Sequence, residues 1–335
     1  MSYKVQFKKI GAPEKQLYVT KYKLNDSLKY NEVLIEVIFF PINPADLLLV
    51  EGKYATPTKS FPASIGAECV AKVLKVGKKV KKLKVNDIVI PLTRNNWSQK
   101  IKVVEENIIK INKNINLLQA CMLKVNPATA YLMLNNYIKL NVGDKILQNA
   151  SNSGVGTYII QLAKYYNIKT YNLIRRKELV NKLKKLGAYK IILEDIKNNR
   201  LLKKLNIKLF IDAIGGSKID EWANHIQDHG TIINYGLLSG KNIEINPHKV
   251  IFNNISLKGF WLSLWLAKMS YKEKKTLYNH LAELIMNNIL HTEIDQVYHV
   301  SEIKKAVAKA NKYKRKGKII VGFDSHLVNK YNAIL

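Results

Sequence analysis

Cysteine is scarce in this 335-residue chain, which has only Cys69 and Cys121. Two cysteines so far apart in sequence cannot form a CxxC pair or the four-thiolate ligand set of a structural zinc site. So few cysteines are typical of a protein from a reducing compartment rather than of a secreted, disulfide-stabilised one. The composition excludes a small disulfide scaffold and predicts a cytoplasmic protein.

Long hydrophobic runs are also missing. The most apolar stretches, Val33 to Ile42 and Phe260 to Ala267, fall well short of the roughly 20 apolar residues that cross a bilayer as a helix. The segment MSYKVQFKKI alternates apolar and polar side chains like a strand and lacks the apolar block of a signal peptide. We therefore expect no membrane partner.

Acidic residues are few: 25 Asp and Glu stand against 55 Lys and Arg, which gives a formal net charge of +30. Such a field attracts polyanions, for example nucleic acid, an acidic carrier protein or a phosphorylated cofactor. The lysines are, however, scattered through every segment, as compositional drift towards lysine, asparagine and isoleucine would also produce. The charge alone leaves both explanations open.

Hydrophobic residues make up 47% of the chain and aromatic residues 9%, which is enough for the cores of about two domains of roughly 150 residues each. Up to about Leu118 the sequence is rich in β-branched residues and interrupted by glycine and proline. The strands expected here are Glu32 to Phe40, Glu68 to Val76 and Asp87 to Pro91. This region predicts a mostly β unit.

From about Gln119 onward, strand-like and helix-like segments alternate. A helix is expected to start at Asn126-Pro127, with asparagine as N-cap and proline as first helical residue. The expected strands that follow are Lys145 to Gln148, Lys169 to Ile174, Lys190 to Leu193, Lys208 to Asp212, Thr231 to Tyr235 and Ser256 to Phe260. The expected helices between them are Val155 to Tyr166, Glu178 to Leu186, Arg200 to Leu205 and Lys218 to His229. Six strands with helical crossovers predict a doubly wound parallel sheet.

Mixed elements return after this region, with helices expected at Lys272 to Asn287 and Ser301 to Lys312 and strands at Glu293 to Val300 and Lys318 to Gly322. A β unit on both sides of a nucleotide-binding fold indicates that one domain is inserted into another. We expect a mostly β domain of residues 1–120 and 267–335, and an α/β domain of residues 121–266.

The turn NASNSGVG, Asn149 to Gly156, lies between the first strand and the first helix of the predicted parallel sheet. Gly154 and Gly156 let the backbone approach a pyrophosphate closely, and the helix that opens there offers unpaired amides to the anion. Two glycines alone are weak evidence, but their place between a strand and a helix predicts a dinucleotide site. The alternative is a tight turn that binds nothing.

Three cations, Arg175, Arg176 and Lys177, follow the second strand of this sheet, and no carboxylate appears before Glu178. An NAD-binding protein usually has an acidic residue here for the ribose 2′-hydroxyl, whereas arginine suits a 2′-phosphate. The pattern favours NADPH over NADH. The alternative is a solvated basic loop.

Four segments carry a resemblance to a known family: INPADLLLVEGKY (Ile42 to Tyr54), VNPATAYLML (Val125 to Leu134), ILQNASNSGVG (Ile146 to Gly156) and SLKGFWLSLW (Ser256 to Trp265). The chain resembles the zinc-independent members of the medium-chain dehydrogenase/reductase superfamily. It is most similar to mitochondrial-type trans-2-enoyl-CoA (enoyl thioester) reductases and their bacterial relatives. The first segment is the least specific, because quinone reductases of the superfamily share it.

This resemblance implies a GroES-like, mostly β catalytic domain made from both ends of the chain, with a Rossmann NADPH-binding domain between them. It also implies no metal. Zinc-binding members carry a ligand cysteine near Asn43 to Asp46, where this chain has none, and a Gly-His-Glu block where this chain reads Gly66-Ala67-Glu68.

The resemblance also implies roles for single residues. Tyr54 matches the proposed catalytic tyrosine, and Asn43, Trp261 and Trp265 are expected in the substrate pocket. The positions expected to bind the coenzyme are Asn126, Asn152, Ser153, Gly154, Val155, Arg175, Arg176, Tyr235, Gly236, Leu237, Leu238, Phe260, Trp261, Leu262 and Lys318. Two positions depart from the pattern: Lys177 replaces a usual arginine, and Leu237 replaces a frequent second glycine.

The expected reaction is the NADPH-dependent reduction of the 2,3-double bond of a trans-2-enoyl thioester in fatty acid synthesis, with a hydride delivered to the β-carbon and a proton to the α-carbon. The thioester would be carried by CoA or an acyl carrier protein, and a homodimer is implied. A quinone or enone reductase is the alternative on the same fold. A nucleic-acid-binding relic is the least favoured reading, since basic and aromatic residues do not interleave.

His225 and His229 would share one face of the expected helix Lys218 to His229, at the i, i+4 spacing of a metal-binding pair. No third ligand lies nearby in sequence, and Gly230 would end the helix. We expect ordinary surface histidines here rather than a metal site.

Overall fold

Two compact units make up the structure, a computed structural model that describes residues 1–56, 58–194, 206–312 and 315–335. One unit joins Met1–Val125 to Met269–Leu335, and the other is Asn126–Lys268. The first unit contains both ends of the chain, and the second is a continuous middle segment. In the described part of the chain, no helix combines the length and apolarity needed to cross a membrane.

The strands, numbered in chain order, are β1 (Ser2–Phe7), β2 (Leu17–Tyr22), β3 (Glu32–Pro41), β4 (Ala63–Ser64), β5 (Val70–Val76), β6 (Ile88–Pro91), β7 (Lys100–Val104), β8 (Ile108–Lys110), β9 (Lys145–Gln148), β10 (Lys169–Ile174), β11 (Lys190–Leu193), β12 (Ile207–Asp212), β13 (Ile226–Asn234), β14 (Ser256–Gly259), β15 (Ile294–His299) and β16 (Lys318–Gly322). The α-helices are α1 (Pro13–Gln16), α2 (Pro44–Val50), α3 (Leu117–Ala120), α4 (Asn126–Asn136), α5 (Gly154–Tyr165), α6 (Val180–Leu186), α7 (Lys218–Ala223), α8 (Pro247–Ile251), α9 (Leu262–Lys268), α10 (Tyr271–Met286), α11 (Ile303–Asn311) and α12 (Ser325–Asn332). Short 3₁₀ helices cover Glu105–Asn107, Lys177–Leu179 and Val300–Glu302.

The unit made from the two chain ends is built on a sheet with the order β15-β16-β3-β5-β6-β8, in which β7 also pairs with β3. Strand β16 is antiparallel to β3 and places Val321 opposite Phe40. A second, three-stranded sheet has the order β2-β1-β4. The core includes the fully buried side chains of Phe7, Ile35 and Trp97. This mostly β architecture agrees with the predicted GroES-like fold.

The middle unit is a six-stranded parallel sheet with the order β11-β10-β9-β12-β13-β14. Chain connections run from β9 outward to β11 in one direction, then return to β12 and continue outward to β14 in the other. This is the strand order of dinucleotide-binding sheets, which bind ligands at the carboxyl ends of the strands where the direction reverses. The reversal lies between β9 and β12, so the predicted fold class is confirmed.

Strands β9, β10, β11 and β16 have the bounds expected from the sequence, because each is a short run between turn-forming residues. Other elements differ by a few residues at their ends. Asn126 is the first residue of α4 rather than a residue before it, since a turn leads directly into that helix. The expected helix Arg200 to Leu205 lies outside the described residues.

The segment after Lys218 is where the secondary-structure prediction was wrong. Helix α7 ends at Ala223, and β13 already begins at Ile226. The buried Ile226 side chain joins the core beside the sheet and pairs in register with Ile207 of β12, so tertiary packing overrides the helical pattern. His225 and His229 share no helical face, and His225 is buried, not a surface histidine as expected.

Candidate active site

The predicted pyrophosphate-binding turn joins the carboxyl end of β9 to the amino end of α5. The Ser153 hydroxyl caps α5 by accepting a hydrogen bond from the Gly156 amide at 3.0 Å. A Cβ atom on Gly154 would lie 2.7 Å from Nδ2 of Asn126, and one on Gly156 would lie 2.8 Å from two carbonyl oxygens of the turn. Neither glycine can carry a side chain without a shift of its neighbours. The turn thus exposes backbone at the positive end of a twelve-residue helix.

Asn126 is brought to this turn by α4, and Asn152 and Val155 lie within it, with Asn152 exposed. Arg175 and Arg176 follow β10, whose carboxyl end lies beside that of β9. Arg175 is exposed, and a guanidinium nitrogen of Arg176 lies 3.6 Å from a carboxylate oxygen of Glu178. The only carboxylate of this loop is therefore partly neutralised by an arginine.

A buried carboxylate that the sequence analysis missed connects three loops at the same edge of the sheet. Asp212, the last residue of β12, accepts hydrogen bonds from the side-chain amide of Asn149, from Nδ2 of Asn234 at 2.6 Å and from the Gly215 amide at 3.0 Å. Asn149 in turn accepts a bond from the Ala213 amide at 2.8 Å. Asp212 therefore fixes the turn after β9 relative to the loops after β12 and β13.

Tyr235 to Leu238, expected on the nicotinamide side, follow directly after β13. The Tyr235 hydroxyl forms a hydrogen bond with Ser153, and burial raises the pKa of Tyr235 to about 12. At Gly236 a Cβ atom would collide with the backbone of Ala213. Leu237 and Leu238 are 69% and 62% exposed. The structure thus joins Tyr235 to the pyrophosphate turn and leaves an apolar pair at the surface of this unit.

Three aromatic side chains form a cluster, and two of them follow β14 in the chain. The rings of Phe260 and Trp265 stack with centroids 6.2 Å apart. Nε1 of Trp265 donates to the hydroxyl of Tyr137 at 3.3 Å, and that hydroxyl donates to the carbonyl of Gly259 at 2.8 Å. Trp261 and Leu262 are partly exposed. Tyr137 was not predicted, because it lies far from the other two residues in sequence.

Tyr54 lies in the other unit, directly after α2. The amide of Asn43 donates to Oδ2 of Asp46 at 3.0 Å, which closes the amino end of this helix. At the carboxyl end, Gly52 has φ +70° and its amide donates to the Leu49 carbonyl at 3.2 Å. A second bond joins the Lys53 amide to the Leu48 carbonyl at 2.9 Å. These two bonds form a Schellman motif, which sets the direction in which the chain leaves for Tyr54.

A buried polar network lies behind the start of α2. Nδ2 of Asn43 donates to Oε1 of Glu68 at 2.8 Å, and the Lys318 ammonium donates to Oδ1 of Asn43 and to the Ile42 carbonyl. Burial raises the pKa of Glu68, and the positive charge of Lys318 opposes that rise. Burial likewise lowers the pKa of Lys318, and Glu68 opposes this change. Asn43 and Lys318, predicted from different ends of the chain, are therefore in direct contact.

The position that carries a ligand block in zinc-binding members of the superfamily reads Gly66-Ala67-Glu68 here. Its carboxylate already accepts the bond from Asn43 and a second one from the Val125 amide at 2.8 Å. Across the described ranges, histidine, cysteine, aspartate and glutamate side chains form no group of three or more that could hold a metal ion.

Two protein families match the chain. Residues 29–112 match the alcohol dehydrogenase GroES-like domain, and residues 154–279 match the zinc-binding dehydrogenase family. Mitochondrial enoyl-[acyl-carrier-protein] reductase of Dictyostelium discoideum is 34% identical over 323 residues, which cover 93% of this chain and 92% of that protein. The chain belongs to the enoyl reductases of the medium-chain dehydrogenase/reductase superfamily. The resemblance inferred from the four sequence segments is confirmed.

Solved structures agree with membership of this enoyl reductase family. The Etr1p/Etr2p 2-enoyl thioester reductase heterodimer of Candida tropicalis is 27% identical, with a TM-score of 0.87 over 96% of this chain and 99% of that chain. An Etr1p complex with NADP and crotonyl-CoA is also 27% identical, with a TM-score of 0.85 and the same coverage. A Bacillus thuringiensis protein assigned as an NADPH:quinone reductase is 28% identical, with a TM-score of 0.89 over 97% of this chain and 100% of that chain.

The expectation of a cytoplasmic protein is wrong. The Dictyostelium discoideum reductase is a mitochondrial protein, as are the matching enoyl reductases of Rattus norvegicus and Caenorhabditis elegans. These relatives point to mitochondria. Scarce cysteine indicates only that thiols stay reduced, and more than one compartment meets that condition.

Proposed function

We propose that this enzyme reduces the 2,3-double bond of trans-2-enoyl thioesters with NADPH. The observation that carries the proposal is the near full-length similarity to an enoyl-[acyl-carrier-protein] reductase, in a chain whose parallel sheet has a glycine turn at its reversal point. The proposed substrates are thioesters of CoA or of an acyl carrier protein, and the Etr1p complex with crotonyl-CoA supports the thioester class.

NADPH fits the residues of the middle unit. A Cβ atom on Gly154 or Gly156 would collide with Asn126 or with carbonyl oxygens of the turn itself, and the turn opens a helix whose first amides can bind a pyrophosphate. Arg175 and Arg176 supply guanidinium groups at the strand end where a 2′-phosphate is expected, and such groups bind phosphate well. When bound, NADPH supplies the hydride for the β-carbon. The residues proposed to hold it are those of the turn, Asn126, the two arginines and the loops after β13 and β14, with Lys318 as a late contact.

Tyr54 is proposed as the proton donor. Hydride addition at the β-carbon leaves an enolate, which needs a proton at the α-carbon and a donor near its oxygen. A phenol is protonated at neutral pH and can serve either purpose. The motif at the end of α2 sets the position of Tyr54, and Asn43 at the start of the same helix is proposed as a substrate-binding residue. Trp261 and Trp265 of the middle unit are likewise proposed to bind substrate.

The experiment that tests this function is NADPH oxidation with 2-enoyl-CoA substrates of graded chain length, run on the wild type and on Tyr54→Phe. We expect crotonyl-CoA or a longer homologue to be reduced, with kcat falling about a hundredfold in the variant. Tyr30→Phe is the matched control, because Tyr30 is an exposed tyrosine of the same unit. Full turnover by Tyr54→Phe would remove the phenol from the mechanism.

A quinone reductase is the second candidate, favoured by the similarity to the Bacillus thuringiensis protein. Steady-state rates with crotonyl-CoA and with 1,4-benzoquinone separate the two. A kcat/KM higher for the quinone by orders of magnitude would replace the proposed function with this one.

A homodimer is proposed on the basis of an edge strand of the parallel sheet, which has one strand partner in the described part of the chain. Strand β14 is the last strand of the sheet order, and exposed apolar side chains lie near it in sequence, including Ile251 and Phe252, at 66% and 70% exposure. An exposed edge with apolar neighbours is a template for pairing with a second copy. Light scattering after gel filtration should give a mass of twice the 38.3 kDa of one chain. Phe252→Asp should lower the measured mass towards that of one chain. A monomeric wild type would contradict the proposal.

A further inference from the structure

An arginine that the proposed mechanism does not use lies against the proposed proton donor. Cζ of Arg94 is 5.0 Å from the centroid of the Tyr54 ring. A guanidinium at this distance from an aromatic face is attracted by the ring's quadrupole, and the planar group can also stack on it. The contact joins the loop after β6 to the segment after α2, two parts of the chain that no strand pairing connects directly.

The loop that carries Arg94 is held on both sides of this residue. The carbonyl of Thr93 accepts hydrogen bonds from the Lys124 ammonium at 2.6 Å and from Nδ2 of Asn96 at 2.9 Å. Trp97 is fully buried and stacks on Phe40 with ring centroids 5.0 Å apart. The backbone of Arg94 is therefore fixed by contacts that do not involve its own side chain.

The guanidinium itself is not fully satisfied. Nη2 of Arg94 is buried and has no hydrogen-bond partner among the described residues. An unpaired buried donor destabilises the fold, and such groups require an explanation other than stability. The contact with Tyr54 offers one.

We propose that Arg94 is a positioning residue for the reaction, which holds the Tyr54 ring and places a positive charge beside its phenol. This inference rests on the proposed function. When the O–H bond of the phenol breaks, the proton moves to the α-carbon of the enolate and the electron pair stays on the phenol oxygen. The adjacent guanidinium stabilises that negative charge until water returns a proton.

A double-mutant cycle tests whether Arg94 acts through Tyr54. The variants are Arg94→Met, Arg94→Lys, Tyr54→Phe and the Arg94→Met/Tyr54→Phe pair, assayed with the enoyl-CoA that the wild type reduces fastest. We expect Arg94→Met to lower kcat roughly tenfold with the KM for NADPH unchanged. Arg94→Lys should recover part of the loss, since it keeps the charge. In the Tyr54→Phe background, Arg94→Met should change kcat less than about twofold.

Lys82→Met is the matched control. Nζ of Lys82 lies 3.9 Å from the Tyr271 ring centroid, so the variant removes a cation from a tyrosine face in the same unit without touching Tyr54. Its kcat should equal that of the wild type. Melting temperatures of all variants identify any that do not fold. If Arg94→Met does not fold, Arg94→Gln takes its place in the cycle.

Three results would overturn the inference. An unchanged kcat in the uncharged Arg94 variant would show that the contact has no role in turnover. Equal losses from that variant in the wild-type and Tyr54→Phe backgrounds would show that Arg94 acts independently of the phenol. Absence of thioester reduction by the wild type would refute the proposed function and this inference with it. If the wild type reduces the thioester normally and either of the first two results is found, only the inference about Arg94 is refuted.

Discussion

Gly156 has no room for a side chain, since a Cβ atom there would lie 2.8 Å from two backbone carbonyl oxygens. Gly156→Ala must shift the turn that opens α5, so we expect the Kd for NADPH to rise at least tenfold, on the scale of ~1.4 kcal/mol. Fluorescence titration with NADPH measures this. The control is Gly259→Ala in the same unit, where a Cβ atom meets nothing within 4 Å. Equal Kd values for the two variants would contradict the prediction.

Asp46 gives a pH dependence whose sign can be worked out. Burial raises the pKa of Asp46 to about 6 from its ordinary value of 3.8, so the folded protein holds this proton more tightly than the unfolded chain. Its contribution to stability is present below about pH 4 and is lost as the pH rises through about 6.

Asp46→Asn cannot titrate, so its free energy of unfolding should fall less than that of the wild type between pH 4 and 6, by about 2 kcal/mol. Urea unfolding at a series of pH values measures the difference. Asp26→Asn, which changes an exposed carboxyl group, should follow the wild type. Parallel curves for Asp46→Asn and the wild type would show that Asp46 does not titrate in this range.

A turn whose flanking strand and helix are neighbours in sequence could be predicted. Contacts between side chains that lie far apart in sequence could not. Gly154 and Gly156 were predicted to lie in a turn between a strand and a helix because these elements follow each other in the chain, and β9 and α5 have that order. Asp212 accepts a hydrogen bond from Asn149, which lies 63 positions away in sequence. Arg94 contacts the ring of Tyr54 from the loop after β6. No local pattern encodes such contacts, because only the assembled sheets create them.

Helix α2 ends in a turn that only glycine adopts without strain. Gly52 has φ +70°, and a Cβ atom there would lie 2.9 Å from Cγ2 of Ile10. Gly52→Ala should therefore destabilise the protein by about 1–2 kcal/mol. Because Tyr54 follows two residues later, we also expect kcat on enoyl-CoA to fall while the KM for NADPH stays the same.

Gly187→Ala is the control for this prediction. Gly187 ends α6 with φ +104°, so the variant carries a comparable backbone strain far from Tyr54 in sequence. It should lose stability and keep its kcat. If both variants keep full kcat, the end of α2 does not position the tyrosine.

Elements were predictable where packing and local pattern agree. Strands β9 and β10 are short runs bounded by turns, and the sheet buries most of their side chains as the pattern indicates. The start of β13 was missed because the residues before it have helical spacing. The position of Ile226 is set instead by its pairing with Ile207 and by its packing in the core.

The net charge of +30 leads to a prediction for the whole molecule. If the basic surface speeds the encounter with an acidic carrier protein, added salt screens that attraction. The kcat/KM for an enoyl-acyl carrier protein should therefore fall steeply between low and physiological ionic strength. A neutral enone serves as the control substrate. If kcat/KM falls equally with added salt for both substrates, the basic surface does not attract the carrier protein, and the net charge is explained by compositional drift.

The architecture of the whole molecule was more accessible from sequence than its location in the cell. Alternation of strands and helices fixes the parallel sheet, because each parallel connection needs a crossover. Cellular location has no such physical link to scarce cysteine or to missing apolar runs, and the relatives overturned that expectation.

The pairing of β16 with β3 affects the order of folding during synthesis. While the ribosome is still translating the final part of the chain, the continuous unit Asn126–Lys268 is already fully made and can fold. Strand β7 already covers residues 32–36 of β3, but residues 39–41 lack their β16 partner until the chain is finished, and open strand edges invite wrong partners. The enzyme therefore depends on its last-made strand to protect one of its earliest ones.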